Sequence, residues 1–91
     1  MEIRRSAAAG TLESSDILVT VEPCMKGIKI ELRSPVYVQF GQSILDSISG
    51  VLNELGVENA EIHADDRGAL DCTIKARVET AVRRAAAEDD R

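Results

Sequence analysis

Few side chains in this sequence can do chemistry, and their spacing narrows what they could do. The single histidine, His63, stands between Ile62 and Ala64, and the two cysteines, Cys24 and Cys72, lie 48 residues apart. These are too few ligands for a structural zinc site, and the cysteine pair lacks the CxxC spacing of a redox motif. They read as two reduced, buried thiols and a surface or half-buried histidine on the outer face of a strand, with no metal and no catalytic group. Two serine-bearing stretches remain. Gly10-Thr11-Leu12-Glu13-Ser14-Ser15-Asp16 is a Gly-led loop ending in two hydroxyls between two carboxylates. Such a loop is accessible enough to hold a long substituent on a serine oxygen. The same residues also suit an ordinary turn, in which Ser and Asp cap the backbone locally. Leu45-Asp46-Ser47-Ile48 places another serine beside an aspartate.

Composition limits the partners. The 91 residues make one small domain, and 44% hydrophobic with 30% charged residues is a globular mixture. Sixteen acids against eleven bases leave a net charge of −5, and one Tyr and one Phe are the only aromatics. With no basic excess and no stacking platform, nucleic acid is excluded as a partner. No apolar run approaches the roughly 20 residues of a membrane span. Met1-Glu2-Ile3-Arg4-Arg5 leads into no apolar signal core, so a cytoplasmic location is expected. The acidity is regional: Ser34 to Asp66 holds Asp46, Glu54, Glu58, Glu61, Asp65 and Asp66 and no Lys or Arg. That stretch suits docking on basic partner surfaces, or simply solvates one helix and one strand.

The elements that must position these residues follow from periodicity. Residues 1–9 read as a flexible leader, 10–87 as a single domain and 88–91 as a frayed tail. Ile17, Val19 and Val21 alternate in one strand, and Ile28, Ile30 and Leu32 in a second. Joined by Cys24-Met25-Lys26-Gly27, the two predict a hairpin with one wet face. Ser34 and Pro35 suit the N-cap and first position of a helix, although Gly41 and Gly50 allow a later start near Gln42. Phe40, Ile44, Ile48, Val51, Leu52 and Leu55 form its apolar stripe, and Gly56 stops it. Val57 to Ala64 predicts a third strand and Asp65-Asp66-Arg67-Gly68 a tight turn. Residues 69–74 suit either a fourth strand or the start of the last helix, capped by Asp71, whose stripe is Ile74, Val78, Ala81, Val82 and Ala85. The class is α+β: β-β-α-β-(β)-α, a mostly antiparallel sheet of three or four strands with two helices on one face.

Two resemblances bear on the serines. Leu45-Asp46-Ser47-Ile48 is one conservative change from the Asp-Ser-Leu of fatty-acid-synthesis acyl carrier proteins, which carry phosphopantetheine on that serine. Those proteins are four-helix bundles with the serine at a helix start, whereas Ser47 falls mid-helix between strands. Gly10-Thr11-Leu12-Glu13-Ser14-Ser15-Asp16 together with Asp65-Asp66-Arg67-Gly68-Ala69-Leu70-Asp71-Cys72 resembles the acyl carrier protein of citrate lyase, its gamma chain. The likeness runs from about Ala9 to Ala86, and Ser15 stands where that family often has Gly. The resemblance implies a non-catalytic subunit whose Ser14 holds 2′-(5″-triphosphoribosyl)-3′-dephospho-CoA by a phosphodiester. It implies a prosthetic-group transferase and the citrate lyase alpha and beta chains as partners, the arm bearing acetyl and citryl thioesters between them during cleavage of citrate to oxaloacetate and acetate. Asp65, Asp66 and Asp71 are then turn and capping residues. The related carrier subunit of malonate decarboxylase, and an unmodified scaffolding or regulatory subunit, are the competing readings.

Overall fold

The computed structural model describes residues 1–87, and alternation of residue type organises its sheet. The elements run β1 (Ala7–Ala9), β2 (Ile17–Glu22), β3 (Ile28–Arg33), α1 (Tyr37–Glu54), β4 (Ala60–Asp66) and α2 (Asp71–Ala86). Ile17, Val19 and Val21 of β2 and Ala60, Ile62 and Ala64 of β4 are buried, while the residues between them are half-exposed. One face of the sheet therefore meets the helices and the other meets water. The helices close the core with Ile44, Ile48, Val51 and Leu52 from α1 and Ile74, Val78, Ala81, Val82 and Ala85 from α2. The result is the expected α+β arrangement, a four-stranded sheet with two antiparallel pairings and one parallel pairing.

The strand order is β1-β2-β4-β3, so the expected hairpin does not form. β4 enters between β2 and β3, antiparallel to β2 (Val19 opposite Ala64) and parallel to β3 (Ile30 opposite Ile62). Stepping across one strand takes about 10 Å, and residues 23–27 can reach further than that. Their end is tied to the new neighbour: Gly27 accepts a hydrogen bond from the Ala60 amide (3.0 Å) and donates one to Asn59 Oδ1 (2.7 Å).

Of the two readings of residues 69–74, the start of the last helix is the one that forms. Residues 69–74 are turn and helix, with α2 starting at Asp71, and the extra strand is β1, within the segment read as a leader. Ala7 and Ala9 pair with Val21 and Val19, Ile3 is buried in the core, and the Met1 amino group donates to the Gly56 carbonyl at 2.8 Å. Three alanines carry little β signal, so this edge is held by pairing and by α2 packed against it. Residues 88–91 lie outside the described residues.

Smaller shifts have local causes. α1 begins at Tyr37 with Val36 at its N-cap; the Ser34 hydroxyl instead accepts the Val36 amide (3.1 Å) and donates to Asp66 Oδ2 (2.8 Å). Phe40 leaves the expected stripe and is 57% exposed. Gly56, at φ +69°, ends the helix by donating to the Asn53 carbonyl (3.1 Å) while Val57 donates to that of Leu52 (2.9 Å). β4 starts three residues later than expected and continues to Asp66, which is 1% exposed. Cys24 is half-buried and Cys72 exposed, so neither is the core thiol expected, and both are free.

On the wet face, His63 lies between Glu31 of β3 and Glu61 of its own strand, with ring nitrogens 2.8 Å and 2.9 Å from their carboxylates. The bond to Glu31, with that to Glu61, outweighs partial burial and lifts the ring above its ordinary value of 6.5. A raised folded value means stability that is complete below pH 6.5 and is lost as pH rises through the folded value. Urea midpoints of the wild type are thus expected to fall between pH 6 and 8, and those of His63→Gln to stay flat in that window.

Candidate functional site

The loop between β1 and β2 is built around Asp16. Its carboxylate accepts from Thr11 Oγ1 (2.7 Å), from the Ile17 amide (2.7 Å) and from Arg77 of α2 through Nε (3.0 Å) and Nη2 (2.9 Å). Thr11 Oγ1 accepts in turn from the Glu13 amide at 3.1 Å, and the Glu13 carbonyl from the Asp16 amide at 3.1 Å. The Arg77 fork, followed by Thr11 and the Ile17 amide, holds the Asp16 carboxyl well below its ordinary value of 3.8, and Asp16 raises Arg77 reciprocally. A lowered folded value means stability that is present above pH 3.8 and lost as pH falls through the folded value. Protection factors of the residue 13–17 amides, with the intrinsic pH dependence of exchange divided out, are accordingly expected to fall below about pH 3.8, a dependence that Asp16→Asn removes.

Gly10 opens the loop at φ +98°, where an added Cβ would lie 1.8 Å from the Ile17 carbonyl oxygen. The other end is stitched to the β4–α2 turn. Ser15 donates to the Arg67 carbonyl (2.8 Å) and Arg67 donates back to the Asp16 carbonyl (2.9 Å), extending the β2–β4 ladder by one rung. The two segments that carried the resemblance, some 50 residues apart, thus meet through backbone bonds. Ser14 is exposed between these fixed points. Ser15 takes φ +67°, the left-handed region that favours glycine. Ser15→Gly is expected to raise stability by about 0.5–1 kcal/mol without altering the loop, read as a higher denaturation midpoint.

Ser47 is half-buried on α1, and its hydroxyl donates to the Ser43 carbonyl (3.1 Å) and to Asp71 Oδ1. Asp71 starts α2, and that bond, with Lys75 at 3.1 Å, lowers its carboxyl. It ties helix to helix; no side-chain bond caps α2. Asp66 is buried and receives Ser34 Oγ and the Ala69 amide (2.9 Å), while Asp65 receives Arg67 Nε (3.1 Å). These contacts fit turn and packing roles. The acids of 34–66 do not make one face: Asp46 and Glu54 lie on the outside of α1, Glu61 on the wet side of the sheet and Asp66 in the core. Glu22, Glu61 and His63 offer ligand-type atoms within 4.8 Å of one another, and the Glu–His hydrogen bonds already account for two of them.

Arg77 was not singled out by sequence reasoning. The available signal was its position beside Ile74 and Val78, on the edge of the apolar stripe of α2, where a cation calls for a partner. A cavity of about 390 Å³ also escaped it, lying between α1 and the β4–α2 turn with Phe40 and Leu70 at its walls. No helix is long and apolar enough to cross a membrane among the described residues.

Residues 4–85 match the family model described as ACP, malonate decarboxylase delta subunit (MdcD), an acyl carrier class. The citrate lyase acyl carrier protein of Halothermothrix orenii is 55% identical over 93% of this chain and 90% of its own length. Those of Lacticaseibacillus casei and Streptococcus mutans are 54% identical (93% and 84% covered) and 56% identical (94% and 85% covered). The chain belongs to this acyl carrier family, alongside the citrate lyase acyl carrier proteins. A crystal structure of L. major mevalonate kinase in complex with R-mevalonate shares the fold alone, at TM-score 0.52 and 16% identity over 92% of this chain and 31% of that one.

Proposed function

We propose that this chain is the acyl carrier subunit of citrate lyase and that Ser14 is its attachment residue for 2′-(5″-triphosphoribosyl)-3′-dephospho-CoA. The observation that carries the reading is the union of the two resembling segments at the Ser15–Arg67 bonds, which leaves an exposed serine on an otherwise pinned loop. A phosphodiester needs from the protein only an accessible hydroxyl oxygen, and Ser14 fits that need better than Ser47, whose hydroxyl is engaged by Asp71. Bound there, the group would supply a terminal thiol for acetyl and citryl thioesters exchanged and cleaved by the alpha and beta chains. Ser14 would anchor, while Asp16, Arg77 and the β4–α2 turn would hold the anchor still against the sheet. Tethering raises the effective concentration of the reacting end to the millimolar range at both partner sites. No side chain of the loop needs to move a proton for this task, which accords with a non-catalytic subunit. Cytoplasmic residence accords with two free thiols.

The test is intact mass and peptide mapping after co-expression with the prosthetic-group transferase. An adduct of the expected mass on the peptide holding Ser14 is the expected result. Adduct-free protein in an active complex, or an adduct on Ser47, would overturn it. The family model's description keeps malonate decarboxylase as a second reading. Reconstitution with lyase alpha and beta chains, set against reconstitution with decarboxylase subunits, separates the two.

A further inference from the structure

The chain's two aromatic residues are not in its core. Tyr37 is 49% and Phe40 57% exposed, and Phe40 stands with Leu70, at 69%, on the walls of one groove. Its apolar walls are Val36, Phe40, Ile44, Ala69, Leu70 and Ile74, and its polar groups are Ser43, Ser47, Asp66 and Asp71. This groove opens at the end of the sheet that carries the Ser14 loop. Arg67, hydrogen-bonded to Ser15, is followed directly by Gly68, Ala69 and Leu70 of the groove. Three residues span at most about 11 Å, so the groove lies beside the attachment loop.

We propose that this groove is a resting berth for the pantetheine end of the arm carried on Ser14. The inference rests on the carrier reading with attachment at Ser14. Three features select this occupant. An arm made of a ribosyl triphosphate and a dephospho-coenzyme A is many bonds longer than the span to be crossed. Tethering presents it to the groove at millimolar effective concentration, so even weak contacts fill the site. The groove's chemistry matches pantetheine rather than phosphate: apolar walls suit its methyl and methylene groups, and hydroxyls and carboxylates accept its amide N–H groups. The carboxylates of Asp66 and Asp71 repel the charged half of the arm, which is left towards the loop and solvent. A berth of this kind shields the thiol end between visits to partner sites.

The test uses modified protein in which Cys24→Ser and Cys72→Ser leave the arm's thiol as the sole thiol, after mass mapping confirms the adduct on Ser14. The thiol is expected to react with a bulky disulfide reagent about fivefold more slowly than coenzyme A in solution, corresponding to occupancy of roughly four-fifths. The methyl signals of Ile44, Leu70 and Ile74 are expected to shift between apo and modified protein. Ser43→Trp fills the groove from an exposed position and is expected to restore the solution rate and abolish the shifts. Leu70→Lys serves as a second variant should Ser43→Trp perturb folding by circular dichroism. Unshifted methyl signals with full thiol reactivity would overturn the berth while leaving the carrier reading intact. Weakened association of the variants with partner chains, with unchanged thiol rate and shifts, would overturn it in favour of a protein-docking role. Absence of an adduct on Ser14 would overturn both.

Discussion

Ser14→Ala is expected to leave the fold intact and to remove the prosthetic group, lowering citrate cleavage by the reconstituted complex at least about a hundredfold. Ser14 is exposed and the loop's bonds run through Thr11, Glu13, Ser15 and Asp16, so truncation at its Cβ disturbs none of them. Ser15→Ala is the matched control. Its neighbouring hydroxyl is the chemical rival, and the variant is expected to keep both the adduct and most of the activity. Intact mass and rate, measured together, check the pair. Full activity from adduct-free Ser14→Ala would favour an unmodified scaffolding subunit.

Gly10→Ala carries the largest expected loss of stability. The added methyl would meet the Ile17 carbonyl oxygen at 1.8 Å and Arg77 Cδ at 3.3 Å, at a backbone φ of +98°. The nearest atom is backbone in β2, so relief requires moving either the strand or the loop. A loss of about 3 kcal/mol is expected, or roughly 12–24 °C in melting temperature. Because Arg77 and Asp16 share the same corner, the loop should also loosen and modification at Ser14 should slow. Gly50→Ala is the contrasting control. Gly50 sits on the exposed side of α1 with nothing within 4 Å of an added Cβ, so the substitution should stabilise by about 1 kcal/mol. Thermal melts of the two variants should move in opposite directions.

Particular residues show what is legible in a chain of this kind. The faces of β2 and β4 follow from alternation, and the stripes of α1 and α2 from helical spacing, because each depends only on residues a few positions apart. The misplacement of Phe40 has the same origin. Spacing puts it on the stripe, but the helix starts only three residues earlier, and the ring lines the groove beside the β4–α2 turn. β1 was illegible because three alanines have no alternation to read and depend on Val19 and Val21 opposite. The buried thiols failed similarly, since Cys72 opens α2 on its outer side.

From the sequence by itself came the small α+β class, the poverty of catalytic groups and the serine on a Gly-led loop. Alternation encodes which face of a strand is buried and contains nothing about which strand lies alongside. Only the tertiary structure decided that β4 separates β2 from β3, that the first residues add an edge strand, and that Arg67 and Arg77 converge on Asp16 from 51 and 61 residues away. Those are long-range pairings, settled by the packing of two helices on one sheet face rather than by local pattern. The loop around Ser14 was therefore visible as a motif, while the bonds that pin it to the β4–α2 turn and to Arg77, and the groove beside it, belong to the folded chain alone.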